Sequence, residues 1–144
     1  MTDPKQRAEL DNLDVLDDDD EPTELTLEDL HRLRAKLGEE RVAVKERVER
    51  HLAEAMEDSD NLPDEMDIAS RHTEQAYLLR LVDKEKKLLK EIDHAMAKFE
   101  RGLYGICEGT GEPIGLKRLE LRPWTRHSLE YKEMLEREKN GRGR

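Results

Sequence analysis

Cys107 is the one thiol in 144 residues, and it sits in the turn-rich segment YGICEGTGEPIGLKRLELRP, Tyr104 to Pro123. Cys107 with Thr110, and Ser128 with Tyr131, keep the Cys-x-x-Cys spacing by which one tight turn presents two sulfurs to a tetrahedral zinc ion at about 2.3 Å. Only the first of these four is a thiol. Thr and Ser hydroxyls are poor zinc ligands at neutral pH, and a phenol titrates near about 10, so three donors of a four-thiolate site are missing. His127 stands beside Ser128, yet His127 and Cys107 together do not close a structural site. The expectation is a module without zinc, held by packing of Ile106, Ile114, Leu116, Leu119, Trp124, Leu129 and Tyr131, with Trp124 supplying much of the buried area. A lone cysteine forms no internal disulfide, and Cys107 reads as a small core residue.

A second pair able to do chemistry is Asp64 and Asp67, just after Pro63. Carboxylates three residues apart at a helix start lie on nearly one side of the first turn. There they can accept hydrogen bonds from basic or amide groups, or simply cap the helix. His31, His51, His72 and His94 are scattered without a repeating ligand spacing. No nucleophile–base–orienter set, phosphate-cradling glycine loop or complete metal site is present, so an independent enzyme is not expected.

The elements that must position these residues follow from pattern. With 43% charged, 35% hydrophobic and 3% aromatic residues, the chain has too little apolar surface for a thick globular core and suits long amphipathic helices. Thr26 followed by Asp29 has the form of an N-cap with an acidic first turn. Leu27, Leu30, Leu33, Leu37, Val44, Val48, Leu52 and Ala55 then recur at helical spacing, predicting a helix over 26–58. Ile68, Ala76, Leu79, Val82, Leu89, Ile92, Met96, Phe99 and Leu103 predict a second helix of matching length, each roughly 50 Å long. SDNLPDEMD separates them; Pro63 cannot continue the first, and Asp64 or Asp67 can cap the second. The fold class is mainly α: a long antiparallel coiled-coil hairpin over 26–103 with its tip at 59–69, then a small degenerate zinc-finger-like module and a C-terminal helix over 104–144. That last helix is expected at about 126–138, with Leu129 and Leu135 turned inward and Gly141 onward fraying.

The net charge of −10 is unevenly spread. Residues 1–25 carry 2 basic and 10 acidic side chains, residues 26–104 carry 15 and 19, and residues 105–144 carry 9 and 7, so the C-terminal module is mildly basic. The run Asp17 to Glu21 repels itself, and the tail over 1–25 is expected to be disordered and solubilising. No apolar run approaches a membrane span and the N-terminus lacks a signal-peptide stretch, so a cytoplasmic location is expected.

A long hairpin with an acidic tip, followed by Tyr104-Gly105-x-Cys107-Glu108 and by Arg118-Leu119-Glu120-x-Arg122-Pro123, resembles the DksA/TraR family of RNA polymerase secondary-channel regulators. The resemblance covers about residues 26–139, and the tip pattern Asp64, Asp67, Ala69 belongs to it. It implies that the hairpin enters the polymerase channel, that these three tip residues approach the active-site elements, and that open promoter complexes are destabilised. The family's zinc-binding cysteines fall on Cys107, Thr110, Ser128 and Tyr131, which implies a cysteine-poor member that stands in when zinc is scarce or thiols are oxidised. The alarmone ppGpp is the implied effector, with Leu88, Lys90, Arg118, Arg122 and Lys132 as its site. Glu91 departs from the pattern, since the family commonly has a second consecutive lysine there and a carboxylate repels phosphate. A monomer without sequence-specific DNA binding, membrane contact or tightly bound cofactor is expected. A transcript-cleavage-type channel factor and a structural coiled-coil adaptor are the alternative readings.

Overall fold

The computed structural model describes residues 25–57 and 64–142; residues 1–24 of the segment read as an acidic tail, and residues 59–63 of the expected tip, Pro63 included, lie outside it. Four helices follow one another: α1 Leu27–Ala55, α2 Glu65–Arg101, α3 Leu116–Leu121 and α4 Leu129–Arg142. No membrane-length apolar helix occurs among the described residues.

α1 begins with a complete capping box. The Thr26 hydroxyl accepts from the Asp29 N–H, and the Asp29 carboxylate accepts from the Thr26 N–H, both at 3.1 Å. Those bonds, the backbone one foremost, hold the Asp29 carboxyl below its usual range, with help from Arg32. α2 is capped by Asp64, whose carboxylate accepts from the Asp67 N–H at 2.9 Å. It ends on Gly102 in the left-handed region (φ 69°), with Leu103 N–H bonding the Lys98 carbonyl, the C-terminal arrangement that a glycine permits at least cost.

α1 and α2 pack as an antiparallel hairpin. Arg41 meets Asp93, His51 meets Glu85, and Ala55 meets Gln75, so contacts move up one helix as they move down the other. The seam on α2 steps alternately by four and three through Arg71, Gln75, Leu78, Val82, Glu85, Leu89, Ile92, Met96 and Phe99. Leu78, 6% exposed, is therefore the inward residue where Leu79 was expected; Leu79 is 48% exposed. Ile68, Ala76 and Leu103 are also exposed, as is Leu27 on α1.

Near the tip the seam turns polar, with a structural use. Gln75 donates to the Ala55 carbonyl at 2.8 Å, and Arg71 donates to the carbonyls of Glu54 and Glu57. These side chains bond carbonyls at the end of α1, where the regular helical partners run out; the Glu54 carbonyl also accepts from the Glu57 N–H. Because α1 stops at Ala55 opposite Gln75, the first turns of α2 project beyond it.

At the opposite end the hairpin and the C-terminal module share one core. Leu33, Leu37, Ile92 and Ala95 belong to the same cluster as Tyr104, Cys107, Ile114 and Leu119. Phe99 stacks on Tyr104 with ring centroids 3.9 Å apart, and the Tyr104 hydroxyl donates to the Pro123 carbonyl at 2.9 Å. α3 is tied back to α1 by Arg32 to Glu120 at 2.7 Å and by Lys36 donating to the Glu120 carbonyl.

α4 corrects the expectation at its start, its anchors and its end. It begins at Leu129 rather than 126, and runs through Gly141 to Arg142. Leu129 and Leu135 are 38% and 36% exposed, and the partly buried Tyr131 is the α4 residue packed against the core.

Candidate functional site

The tip is built from the start of α2. Asp64, Asp67 and Ala69 are all exposed there. Asp64 is engaged as the N-cap, whereas the Asp67 carboxylate, at the third helical position, has no side-chain partner among the described residues. Ala69 lines a shallow cavity of about 380 Å³ with Met66, Ser70 and Thr73. The result is an acidic, small-residue surface on a helix end, with Met66 80% exposed beside it.

At the other end, the chain from Gly105 to Ile114 folds into a knuckle. Ile106 pairs with Pro113 in a single antiparallel bridge, and the Cys107 N–H donates to the Glu112 carbonyl at 2.8 Å. The Gly111 N–H returns to the Cys107 carbonyl at 2.9 Å. This turn aims polar hydrogens at the sulfur. Burial pushes the Cys107 thiol up, but hydrogen bonds from the Thr110 hydroxyl and from the backbone N–H groups of Ser128, Thr110 and Gly109 outweigh it and bring the thiol down to about 7.

The four zinc-ligand positions are thus close together but differently employed. Thr110 and Ser128 solvate the sulfur, and Ser128 Oγ also accepts from the Tyr131 N–H at 3.3 Å. The Tyr131 ring lies so tightly on Gly109 that a Cβ there would stand 2.2 Å from it. One thiol, two hydroxyls and a phenol do not fit a closed tetrahedral zinc site. Among the described residues no group of three or more His, Cys, Asp or Glu could hold a metal. His127 packs its ring 4.9 Å from that of Tyr131 and also faces the cavity described next.

That cavity, of about 500 Å³, lies between α2 and the module. It is lined by Glu91, Arg118, Arg122, Trp124, Thr125, Arg126, His127 and Lys132. Three of the expected effector residues, Arg118, Arg122 and Lys132, are together here. Leu88 and Lys90 are not in the lining: Leu88 packs against the hairpin core and Lys90 is exposed on α2. Trp124 forms part of this wall and, like Tyr131, packs partly buried against the core. The Arg118 Nε donates to the His127 carbonyl at 2.9 Å, and Glu120 is held by Arg32.

Glu91 faces the cavity, but not as a bare charge. Arg126 donates to it twice, Nε at 2.7 Å and Nη2 at 2.9 Å. These bonds raise the Arg126 pKa against the opposing effect of burial. Behind the pair, Glu108 accepts from His94 Nε2 at 2.6 Å and forms ion pairs with Lys98 Nζ at 3.5 Å and Arg126 Nη1 at 4.0 Å. Burial pushes the Glu108 carboxyl up, and the His94 hydrogen bond with the charges of Lys98, His94 and Arg126 holds it below its usual range. The Glu108 N–H also bonds the Arg126 carbonyl at 2.9 Å. A belt of charge therefore joins the knuckle to α2.

Arg126 is the residue that reading the sequence missed. Its signal was available in the departure itself: an acidic residue in an otherwise basic site asks for a compensating cation, and Arg126 completes a series with Arg118 and Arg122 at intervals of four.

Residues 29–99 match the family described as "DnaK suppressor protein DksA, N-terminal domain", and residues 102–130 match the "Prokaryotic dksA/traR C4-type zinc finger". Over 80 residues the chain is 48% identical to the RNA polymerase-binding transcription factor DksA of Caulobacter vibrioides, a match covering 56% of this chain and 56% of that relative. The chain thus spans little more than half the length of that relative. Over 101 residues it is 35% identical to the factor of the same name from Escherichia coli K12, covering 69% of this chain and 67% of that one. The solved structure of transcription factor DksA2 from Pseudomonas aeruginosa superposes with a TM-score of 0.71 at 39% identity, covering 79% of this chain and 88% of that one.

Proposed function

The chain belongs to the DksA/TraR family, and on that premise we propose that it is a cytoplasmic transcription regulator that binds RNA polymerase in the secondary channel and destabilises open promoter complexes, with ppGpp as effector. One observation carries the reading. The start of α2 projects beyond α1 with Asp67 and Ala69 exposed, about 36 Å along the helix from Glu91 in the cation-lined cavity. A narrow rod with chemistry only at its end suits insertion into a channel, and a basic cavity at its base suits a polyanion held outside.

At the tip, Asp67 accepts hydrogen bonds from basic or amide groups of a moving catalytic element, Asp64 fixes the helix start, and Ala69 allows close approach. At the base, the Arg122 guanidinium forks onto phosphate oxygens and Lys132 supplies a point charge, while Arg118 braces the wall through His127. The regulator acts as a monomer, makes no sequence-specific contact with DNA and catalyses no reaction of its own. Its module is held by the Tyr104–Leu119 core, the Tyr131–Gly109 contact and the Glu108 belt, without zinc.

In vitro transcription from a ribosomal promoter, with and without ppGpp and repeated with a chelator, tests these parts together. Repression that deepens with ppGpp and survives chelation is expected. No repression, or no effect of tip substitutions, returns the chain to a structural adaptor, and transcript cleavage in a backtracked complex assigns it to the cleavage-type factors. Stoichiometric zinc in the purified protein overturns the metal-free module.

A further inference from the structure

The cavity at the hairpin base sets four cations, Arg118, Arg122, Arg126 and Lys132, against the single carboxylate of Glu91. Arg122 and Lys132 have no hydrogen-bond or ion-pair partner from their side chains among the described residues. Arg126 is the opposite case, with Nε and Nη2 both committed to Glu91. This pair is not sealed in: the Arg126 and Glu91 side chains are 35% and 39% exposed. Solvent screens a pair at that exposure, so its net worth is small and its partners are exchangeable. A phosphate group offers a guanidinium the same two-pronged acceptor that a carboxylate does, with more charge.

Resting on the reading of this cavity as a ppGpp site, we propose that Arg126 is a further phosphate-binding residue and that Glu91 is its built-in competitor, which holds the guanidinium at the cavity wall and yields it when the polyanion enters. Two features support the exchange. The Arg126 backbone stays anchored through its carbonyl to the Glu108 N–H at 2.9 Å, so only the side chain has to move. The Glu108 carboxylate, 4.0 Å from Arg126 Nη1, draws on the same guanidinium from behind and keeps it near the module when Glu91 lets go. Glu91 is a positioning residue in this arrangement. It lowers the affinity for the effector and keeps Arg126 from collapsing elsewhere.

The test is a ppGpp titration of the full-length chain with RNA polymerase on a ribosomal promoter, comparing wild type, Glu91→Gln, Arg126→Gln and the double variant Arg122→Ala/Lys132→Ala, with thermal unfolding of each. Glu91→Gln is expected to lower the half-maximal ppGpp concentration about threefold, the scale of losing an exposed competing pair. Arg126→Gln is expected to raise it on the order of tenfold, the scale of losing charged hydrogen bonds. Both variants lose the same ion pair, so a merely structural strap shifts both in the same direction and lowers both melting temperatures alike. Opposite shifts in ppGpp response support the proposal. Shifts in the same direction, or none for Arg126→Gln, overturn it while leaving the cavity as the site. A wild type indifferent to ppGpp, or an unaltered response in Arg122→Ala/Lys132→Ala, overturns the ppGpp reading and this inference with it.

Discussion

The two ends of the hairpin handle their charged groups by opposite rules. At the tip, Asp64, Asp67 and Ala69 stand exposed on helix turns that no longer have α1 beside them, and Asp67 is left without a side-chain partner among the described residues. At the base, Glu91, Glu108, His94, Lys98 and Arg126 are knitted into one belt over a shared core. Exposed charge at the tip costs little to keep and is available to a partner; belted charge at the base supports the scaffold. Function is therefore separable from stability at one end and entangled with it at the other.

The contrast is broken first by attacking the core. Leu119 is fully buried where α3 meets the knuckle, so Leu119→Ala should cost about 3 kcal/mol and lower the melting temperature strongly, taking the ppGpp response with it. Thermal unfolding followed by circular dichroism reads this directly; an unchanged midpoint would mean that the module does not share the hairpin's core. Next in size is Gly109→Ala, whose new methyl stands 2.2 Å from the Tyr131 ring. It should cost about 2 kcal/mol through overpacking, and the double variant with Tyr131→Ala should be less than additive because the clash disappears. Strict additivity would show that Tyr131 does not press on the knuckle.

Cys107 gives a smaller and pH-dependent effect. Its folded value of about 7 lies below the ordinary thiol value of about 8.5. A depressed value means the thiolate stabilises the fold, with the full contribution present above the unfolded value and lost as pH falls through about 7. The stability of the wild type relative to Cys107→Ser should rise on the order of 1 kcal/mol between pH 7 and pH 9. Denaturant unfolding of both proteins at the two pH values measures it, and a gap that narrows with rising pH would refute a thiolate held by Thr110, Ser128 and Gly109.

How much of this was legible differs between the ends for physical reasons. The hairpin was readable because a helix writes its buried face into the sequence at steps of three and four, and the tip because Asp64, Asp67 and Ala69 are neighbours in the chain. Leu78 was missed for Leu79 because adjacent apolar residues leave the stripe ambiguous by one position. The polar seam residues Arg71 and Gln75, which bond the carbonyls at the end of α1, are invisible to an apolar pattern. The missing zinc donors were plain from residue type, but what replaces them was not. Glu91 and Arg126 lie 35 residues apart, so only the fold brings them together. α4 starts three residues late for a related reason. Arg126, His127 and Ser128 are spent on Glu108, Arg118 and Cys107, and a helical turn there would withdraw those groups.

The smallest effect on stability is expected at the tip, and it sharpens the comparison most. Asp67→Asn keeps a side chain of the same shape at the third position of α2, where its own N–H still donates to Asp64. Losing a first-turn carboxylate should cost no more than a few tenths of a kcal/mol, about the worth of an exposed charge beside a helix dipole. Repression of a ribosomal promoter should nevertheless fall at least about tenfold, since a neutral amide forfeits the charge-assisted hydrogen bonds assigned to that carboxylate. Asp64→Ala provides the contrast, because removing the N-cap costs about 1 kcal/mol and loosens the whole helix start. If Asp67→Asn represses as well as the wild type while Asp64→Ala does not, the tip works through its shape alone and the carboxylates serve the helix. If both lose repression but only Asp64→Ala loses stability, the free charge of Asp67 is what the hairpin carries to its partner.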